Sequence, residues 1–194
     1  MNNCFEKVKR FENDDTIHLP VRKTTNSAGY DFEVAEDTLI PSLLGQEVKA
    51  ICDDNFMISI PNYVRKVIDG NNLILSLTEA KQMIKEKALK PTLVPTGIKC
   101  KIDPDKYLEL SVRSSCPLNS LLILANGVGI IDADYYSNPA NDGEIFFQIL
   151  NLSPYDIYLH KGDTIGQGIV KPYLKMDNDA AMGERIGGFG STSR

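Results

Sequence analysis

The chain has 194 residues, 42% of them hydrophobic and 24% charged, with a formal net charge of −5. That length accommodates one ordinary domain with an elaboration and would cramp two. No apolar run approaches the roughly 18 residues a membrane helix needs, and an acidic chain lacks the clustered Lys and Arg of a broad nucleic-acid face, so neither membrane nor nucleic acid is an expected partner. Cys4, Cys52, Cys100 and Cys116 are dispersed with no Cys-x-x-Cys pair, which argues against a zinc site or a disulfide framework. The first residues carry no secretory pattern, so free thiols in a reducing cytoplasm are expected.

In chain order, residues 1–13 fit either an edge strand or a short helical turn, and 17–20 read as a short strand. Tyr30, Phe32 and Val34 alternate with Asp31 and Glu33, a period-two strand with one buried face that leaves Asp31 on the polar side. From 41 to 92 the texture changes. Val48, Ala50 and Cys52 alternate, as do Phe56, Ile58 and Ile60, and Asp69-Gly70-Asn71-Asn72 is a hairpin-turn signal between 63–68 and 73–75. Ser76 and Glu79 stand at capping-box spacing before an apolar helical face of Leu77, Ala80, Ile84 and Ala88, which Pro91 stops. This block reads as a β-hairpin and helix subdomain inserted in a mainly β body at 1–40 and 93–174; its Lys81, Lys85, Lys87 and Lys90 read as a solvated face.

Strands return at 96–102, 107–113, 120–125, 127–132, 144–151, 156–160 and 164–174, separated by Pro, Gly and Asp punctuation, the pattern of a sandwich or jelly roll. The stretch from Asn126 to Ile145 reads as a β-hairpin with a functional tip. Gly127 and Gly129 lack Cβ, so a ligand such as a nucleobase could approach the backbone there, near Asp132 and the Tyr135 ring. Arg113-Ser114-Ser115 at a strand end offers a guanidinium fork and two hydroxyls to an anion. The tail, 175–194, carries Arg185, Phe189 and the donors of Gly190, Ser191 and Thr192, a set able to clamp phosphates and stack on a base. No P-loop sequence is present.

Five segments occur together in order: Ala28-Gly29-Tyr30-Asp31, Arg113-Ser114-Ser115, the stretch Gly127 to Tyr135, Gly162-Asp163-Thr164-Ile165-Gly166-Gln167, and Gly187-Gly188-Phe189-Gly190-Ser191-Thr192. Jointly they resemble the trimeric dUTPase family, the deoxyuridine triphosphate nucleotidohydrolases. The resemblance implies a distorted jelly roll, a homotrimer with active sites across subunit interfaces, and hydrolysis of dUTP by water attack at the α-phosphorus. It implies Asp132 as the general base, Tyr135 as the ring against deoxyribose, and Asn126 with the backbone of Gly129, Ile130 and Ile131 as the uracil-reading edge. It matches Arg113, Ser114, Ser115 and Gln167 to phosphate contacts, and Arg185, Phe189, Gly190, Ser191 and Thr192 to a mobile tail that closes the site. Asp31 would support the phosphate side from behind, and Mg²⁺ would be held by the substrate phosphates and water with no direct protein ligand.

The chain departs from the family in three places. Arg185 stands one residue closer to the Gly-Gly-Phe-Gly core than the family's tail arginine. Gly166 and Gly168 replace an Ala and a larger apolar residue, which is expected to loosen that strand. The 41–92 block is longer than the family's usual connection, and a regulatory role through a protein partner bound there is the alternative reading. A related activity, dCTP deamination, uses a Glu on the returning strand where this chain has Gln148.

Overall fold

The computed structural model describes residues 3–43, 48–52, 57–60, 74–75, 91–183, 185 and 187. The expected helix from Ser76, the turn at 69–72 and the tail residues Phe189, Gly190, Ser191 and Thr192 lie outside them. The first segment adopts both forms its pattern allowed, strand β1 (Cys4–Lys7) and a 3-10 turn at Lys9–Phe11. Then follow β2 (Tyr30–Glu33), β3 (Thr38–Ile40), β4 (Val48–Cys52), β5 (Met57–Ile60), β6 (Ile74–Leu75), β7 (Thr92–Pro95), β8 (Ile98–Lys101) and β9 (Lys106–Val112). A short helix α1 (Ser115–Ser120) leads to β10 (Leu122–Leu124), β11 (Gly129–Asp132), β12 (Phe146–Asn151), β13 (Ile157–Leu159) and β14 (Thr164–Pro172).

The strands form a mainly β jelly-roll body. One sheet has the order β11-β9-β14-β2 and another β10-β12-β7, with the smaller pairs β1-β8 and β13-β3; every pairing in these sheets is antiparallel. Between the two larger sheets lie Phe32, Leu108, Leu110, Phe147, Ile149 and Ile165, all at most 2% exposed. Alternation explains the choice: in β12, Phe147, Ile149 and Asn151 turn inward while Phe146, Gln148 and Leu150 take the other face. In β2, Phe32 is buried and Asp31 faces the polar side, as its pattern predicts. The strands β5, β4 and β6 form a separate sheet, antiparallel on one side of β4 and parallel on the other.

Four sequence expectations change. Residues 17–20 form no strand; Ile17 is a buried plug, and the nearby pairing is an isolated bridge from Val21 to Asp31. The expected 96–102 strand begins at Ile98, because Gly97 turns the chain out of β7 at φ +68°, where a Cβ would stand 2.9 Å from the Phe11 ring. The strand expected at 120–125 shortens, since Ser115 opens α1 and Leu121 ends it in the left-handed region at φ +52°.

The fourth change is the largest: β11 and β12 do not form a hairpin. β11 pairs with β9 and β12 pairs with β10 and β7, so the two strands belong to opposite sheets and the loop between them crosses the sandwich. Its far end is anchored to the N-terminal segment, where the Arg10 guanidinium donates to both oxygens of Glu144 at 2.9 and 2.7 Å and the Lys9 N–H donates to Asp142 at 2.8 Å.

Beside β9 the strand β14 pairs continuously from Gly166 to Pro172, while its register against β2 shifts between Thr164 and Gly166. A Cβ at Gly166 would lie 2.1 Å from the Phe147 ring and 2.7 Å from the Ser111 carbonyl. At Gly168 the space belongs to Phe32 and Leu108. Gly166→Ala is therefore expected to overpack the core and cost about 1–3 kcal/mol, read as a lowered Tm in thermal unfolding.

Candidate active site

Two clefts collect most of the residues singled out from the sequence. The first, about 140 Å³, lies between strand β11 and the face of β12 that carries Phe146 and Gln148. Its floor is Leu110 of β9 with Gly129, Ile130 and Ile131 of β11, and its far wall is Glu144, Phe146 and Gln148, with Asn126 and Tyr135 at the margins. Asn126 lies in the turn before β11, where Gly127 takes φ +69° and its side is open. At Gly129 a Cβ would stand 3.0 Å from Leu110, so the glycine also makes room for that apolar side chain.

Tyr135 ends a 3-10 turn, Ala133–Tyr135, and is only 6% exposed. Its hydroxyl donates to the Glu144 carbonyl at 3.1 Å and accepts from the Asn141 amide at 2.6 Å. Burial raises the phenol above its ordinary pKa, with the Asn141 bond offsetting part of that rise, so the group stays neutral and donating at physiological pH. The ring is a fixed wall. The loop from Ser137 to Gly143 wraps it, and Gly143, at φ +76°, would place a Cβ 2.6 Å from the Tyr135 carbonyl.

The second cleft, about 250 Å³, brings together three of the five sequence segments. It is lined by Gly29 and Asp31, by Arg113 and Ser114, and by Gln167, together with Lys23 and Ser27. Gly29 admits the Gln167 amide against the backbone: a Cβ there would lie 2.3 Å from Oε1. Ser115 does not line this cup; it is the first residue of α1 behind Ser114. Lys23 and Ser27 were missed from sequence because they belong to a polar turn with no motif of its own. The turn is held by Arg22, which donates to the Thr25 and Ser27 carbonyls at 2.9 Å each. Two cations, hydroxyls and an amide around open space make a cup for a polyanion, with Asp31 its one carboxylate.

Asp132 ends β11 opposite Tyr107. Arg185 reaches it: one guanidinium nitrogen donates to Asp132, and Nε donates to Asp134 at 2.7 Å, with the charge 5.8 Å from the Tyr135 ring centre. The tail arginine thus lies on the Asp132 side and not in the cup. The two clefts share no residue. β11 and β2 are opposite edges of their sheet, and Asp132 and Asp31 lie at opposite ends of it, Asp132 near Tyr107 and Asp31 near Ser111. Strand spacing and rise put them roughly 20 Å apart.

A β sandwich with a base-sized cleft edged by open backbone, and a separate cationic cup, defines a nucleotide-binding protein of jelly-roll type. The dUTPase family model matches residues 74–193, more than half of the chain. The deoxyuridine 5'-triphosphate nucleotidohydrolase of Lactococcus lactis is 33% identical over 190 residues, covering 97% of this chain and 95% of its own, and that of Rickettsia peacockii is 32% identical over 145 residues, covering 72% and 92%. Among solved structures, the dUTPase of Streptococcus mutans is 30% identical with a TM-score of 0.62, covering 90% of this chain and 99% of its own. That of Staphylococcus aureus phage phi11, at 13% identity and a TM-score of 0.56, shares the fold over 98% of this chain and 99% of its own. The chain belongs to the dUTPase family.

Because the Ser137–Gly143 loop holds Tyr135, Gly143→Ala is expected to strain the backbone by about 1–3 kcal/mol. The expected signature is a lower Tm together with a raised KM for nucleotide.

Proposed function

We propose that the chain is a dUTP diphosphatase, hydrolysing dUTP to dUMP and pyrophosphate by water attack at the α-phosphorus with Asp132 as general base. The observation that carries this reading is the pairing, in a dUTPase-family chain, of a base-sized cleft whose edge strand ends on a carboxylate with a cup of two cations, hydroxyls and an amide. Asn126 and the backbone of Gly129, Ile130 and Ile131 read uracil, and the buried Tyr135 ring packs on the deoxyribose, leaving no room for a 2′-hydroxyl. Arg113, Ser114, Ser115 and Gln167 bind or support the phosphates, and Asp31 supports that side. Lys23 and Ser27 join this set.

The reaction needs a water about 3–3.5 Å from phosphorus, and Asp132 within hydrogen-bond reach of that water. One chain keeps Asp132 and its cup far apart, so a second copy must bring the base edge of one to the cup of another. A homotrimer, with sites at subunit boundaries, meets that requirement. Arg185, Phe189, Gly190, Ser191 and Thr192 form the closing tail, in which Arg185 exchanges its carboxylate partners for phosphate oxygens when substrate is present.

Mg²⁺ fits as a passenger on the substrate. Among the described residues no group of three or more His, Cys, Asp or Glu could cage a metal, and the cup has one carboxylate among cations. Asp31 can meet the waters of a phosphate-bound Mg²⁺, which when bound neutralises charge on the triphosphate. The cytoplasm is the proposed location. The 41–92 segment is an inserted elaboration, supported by a sheet whose strands pair only with one another among the described residues; a protein partner bound there is the alternative reading.

The deciding experiment is pyrophosphate release from dUTP, dCTP, dTTP and UTP with Mg²⁺; selective release from dUTP is expected, and no turnover of any nucleotide would overturn the reading. Asp132→Asn should lower kcat by about 10²–10⁴ while a non-hydrolysable dUTP analogue still binds. A chain lacking 44–90, which keeps Ser42, Leu43 and all of β7, is expected to keep dUTP turnover; loss of turnover with an unchanged Tm would make that segment part of the active site.

A further inference from the structure

We propose that Gln148 takes part in base recognition by hydrogen-bonding the 4-substituent of the pyrimidine. This rests on the dUTP reading above. Gln148 shares a face of β12 with Phe146, and both line the base cleft opposite Leu110 and Ile130. The Gln148 side chain is half-buried and makes no hydrogen bond among the described residues, so its amide is available to a ligand in the cleft. Its backbone is held firmly: the Ala125 N–H donates to the Gln148 carbonyl at 2.7 Å, beside Asn126. Two amides are therefore presented to one cleft from adjacent chain segments.

A uracil ring offers a carbonyl, an N–H and a second carbonyl along one edge. The β11 backbone and Asn126 cover part of that pattern, and an amide on the opposite wall supplies a donor to the remaining carbonyl, at C4. An amide can also turn its oxygen toward the 4-amino group of cytosine, so Gln148 selects for a hydrogen-bonding 4-substituent and leaves the choice between uracil and cytosine to the β11 backbone and Asn126. A carboxylate at 148 could only accept, which favours cytosine and leaves the uracil carbonyl facing a negative charge.

The test compares dUTP, dCTP and 4-thio-dUTP, which keeps the O2 and N3–H of uracil and replaces only the 4-oxygen by a weak acceptor, on the wild type, Gln148→Met and Gln148→Glu, with Mg²⁺. Wild type is expected to prefer dUTP over 4-thio-dUTP by on the order of threefold or more in kcat/KM, mostly through KM. Gln148→Met should remove most of that preference, because its side chain has similar length and no donor, and Gln148→Glu should raise the ratio of dCTP to dUTP turnover. Equal preference in wild type and Gln148→Met would overturn the proposal. If a variant fails to fold, the wild-type comparison decides alone: no preference for dUTP over 4-thio-dUTP overturns it. Absence of dUTP turnover by the wild type would instead sink the underlying reading, a distinguishable result.

Discussion

The Phe147 ring occupies the space that any side chain at position 166 would claim, and the sandwich closes on that contact. Phe147 also packs on Phe32, with ring centres 5.8 Å apart, and Phe32 in turn fills the space over Gly168. Burying a ring of this kind contributes roughly 1.5–3 kcal/mol, but its positional consequence matters more here. With Gly166 and Gly168 facing the core, strand alternation sends the intervening Gln167 to the opposite face. There it lies opposite Asp31 in the β14–β2 register and against Gly29. The packing that holds the sheets together thus also aims an amide into the anion cup.

The base cleft depends on a second device, the polar anchoring of the loop between β11 and β12. Glu144 is 3% exposed, and a carboxylate so placed must be paired to be tolerated. It receives both guanidinium donors of Arg10 and the Gly97 N–H at 3.0 Å. Asp142 is held similarly by Lys99 and the Lys9 N–H; burial alone would raise its pKa, and these partners pull it below the ordinary carboxylate value. Tyr136 donates to Glu6 at 2.7 Å. The wall formed by Tyr135 therefore stands where Glu6, Lys9 and Arg10, from the start of the chain, together with Gly97 and Lys99, place it.

Charge is separated across the sheet. The cup gathers Lys23 and Arg113, while the acidic pair Asp132 and Asp134 lies toward the opposite edge with Arg185 across it. Under the proposed mechanism the guanidinium would have to leave Asp132 before that carboxylate accepted a proton from water.

Much of this was legible from residues alone. Alternation in 30–34 and the spaced run at 144–151 identified the strands that bury Phe32 and Phe147; Arg113 and Ser114 could be named as an anion site from side-chain chemistry, and Asp31 and Gln167 only through the resemblance carried by five ordered segments. What could not be read was partnership. A strand's periodicity says which face is buried but not which neighbour it pairs with, so β11 and β12 read as a hairpin although they belong to opposite sheets. Lys23 and Ser27 had no local signal, since they join the cup only when their turn folds against β14. Gly166 looked like a weakness because the space it leaves is filled by Phe147 from a strand far away in sequence. The chain by itself determined which groups are available and which faces bury, through side-chain chemistry and backbone period. Only tertiary structure decided which of them meet, because pairing and packing are contacts between segments that no local pattern encodes.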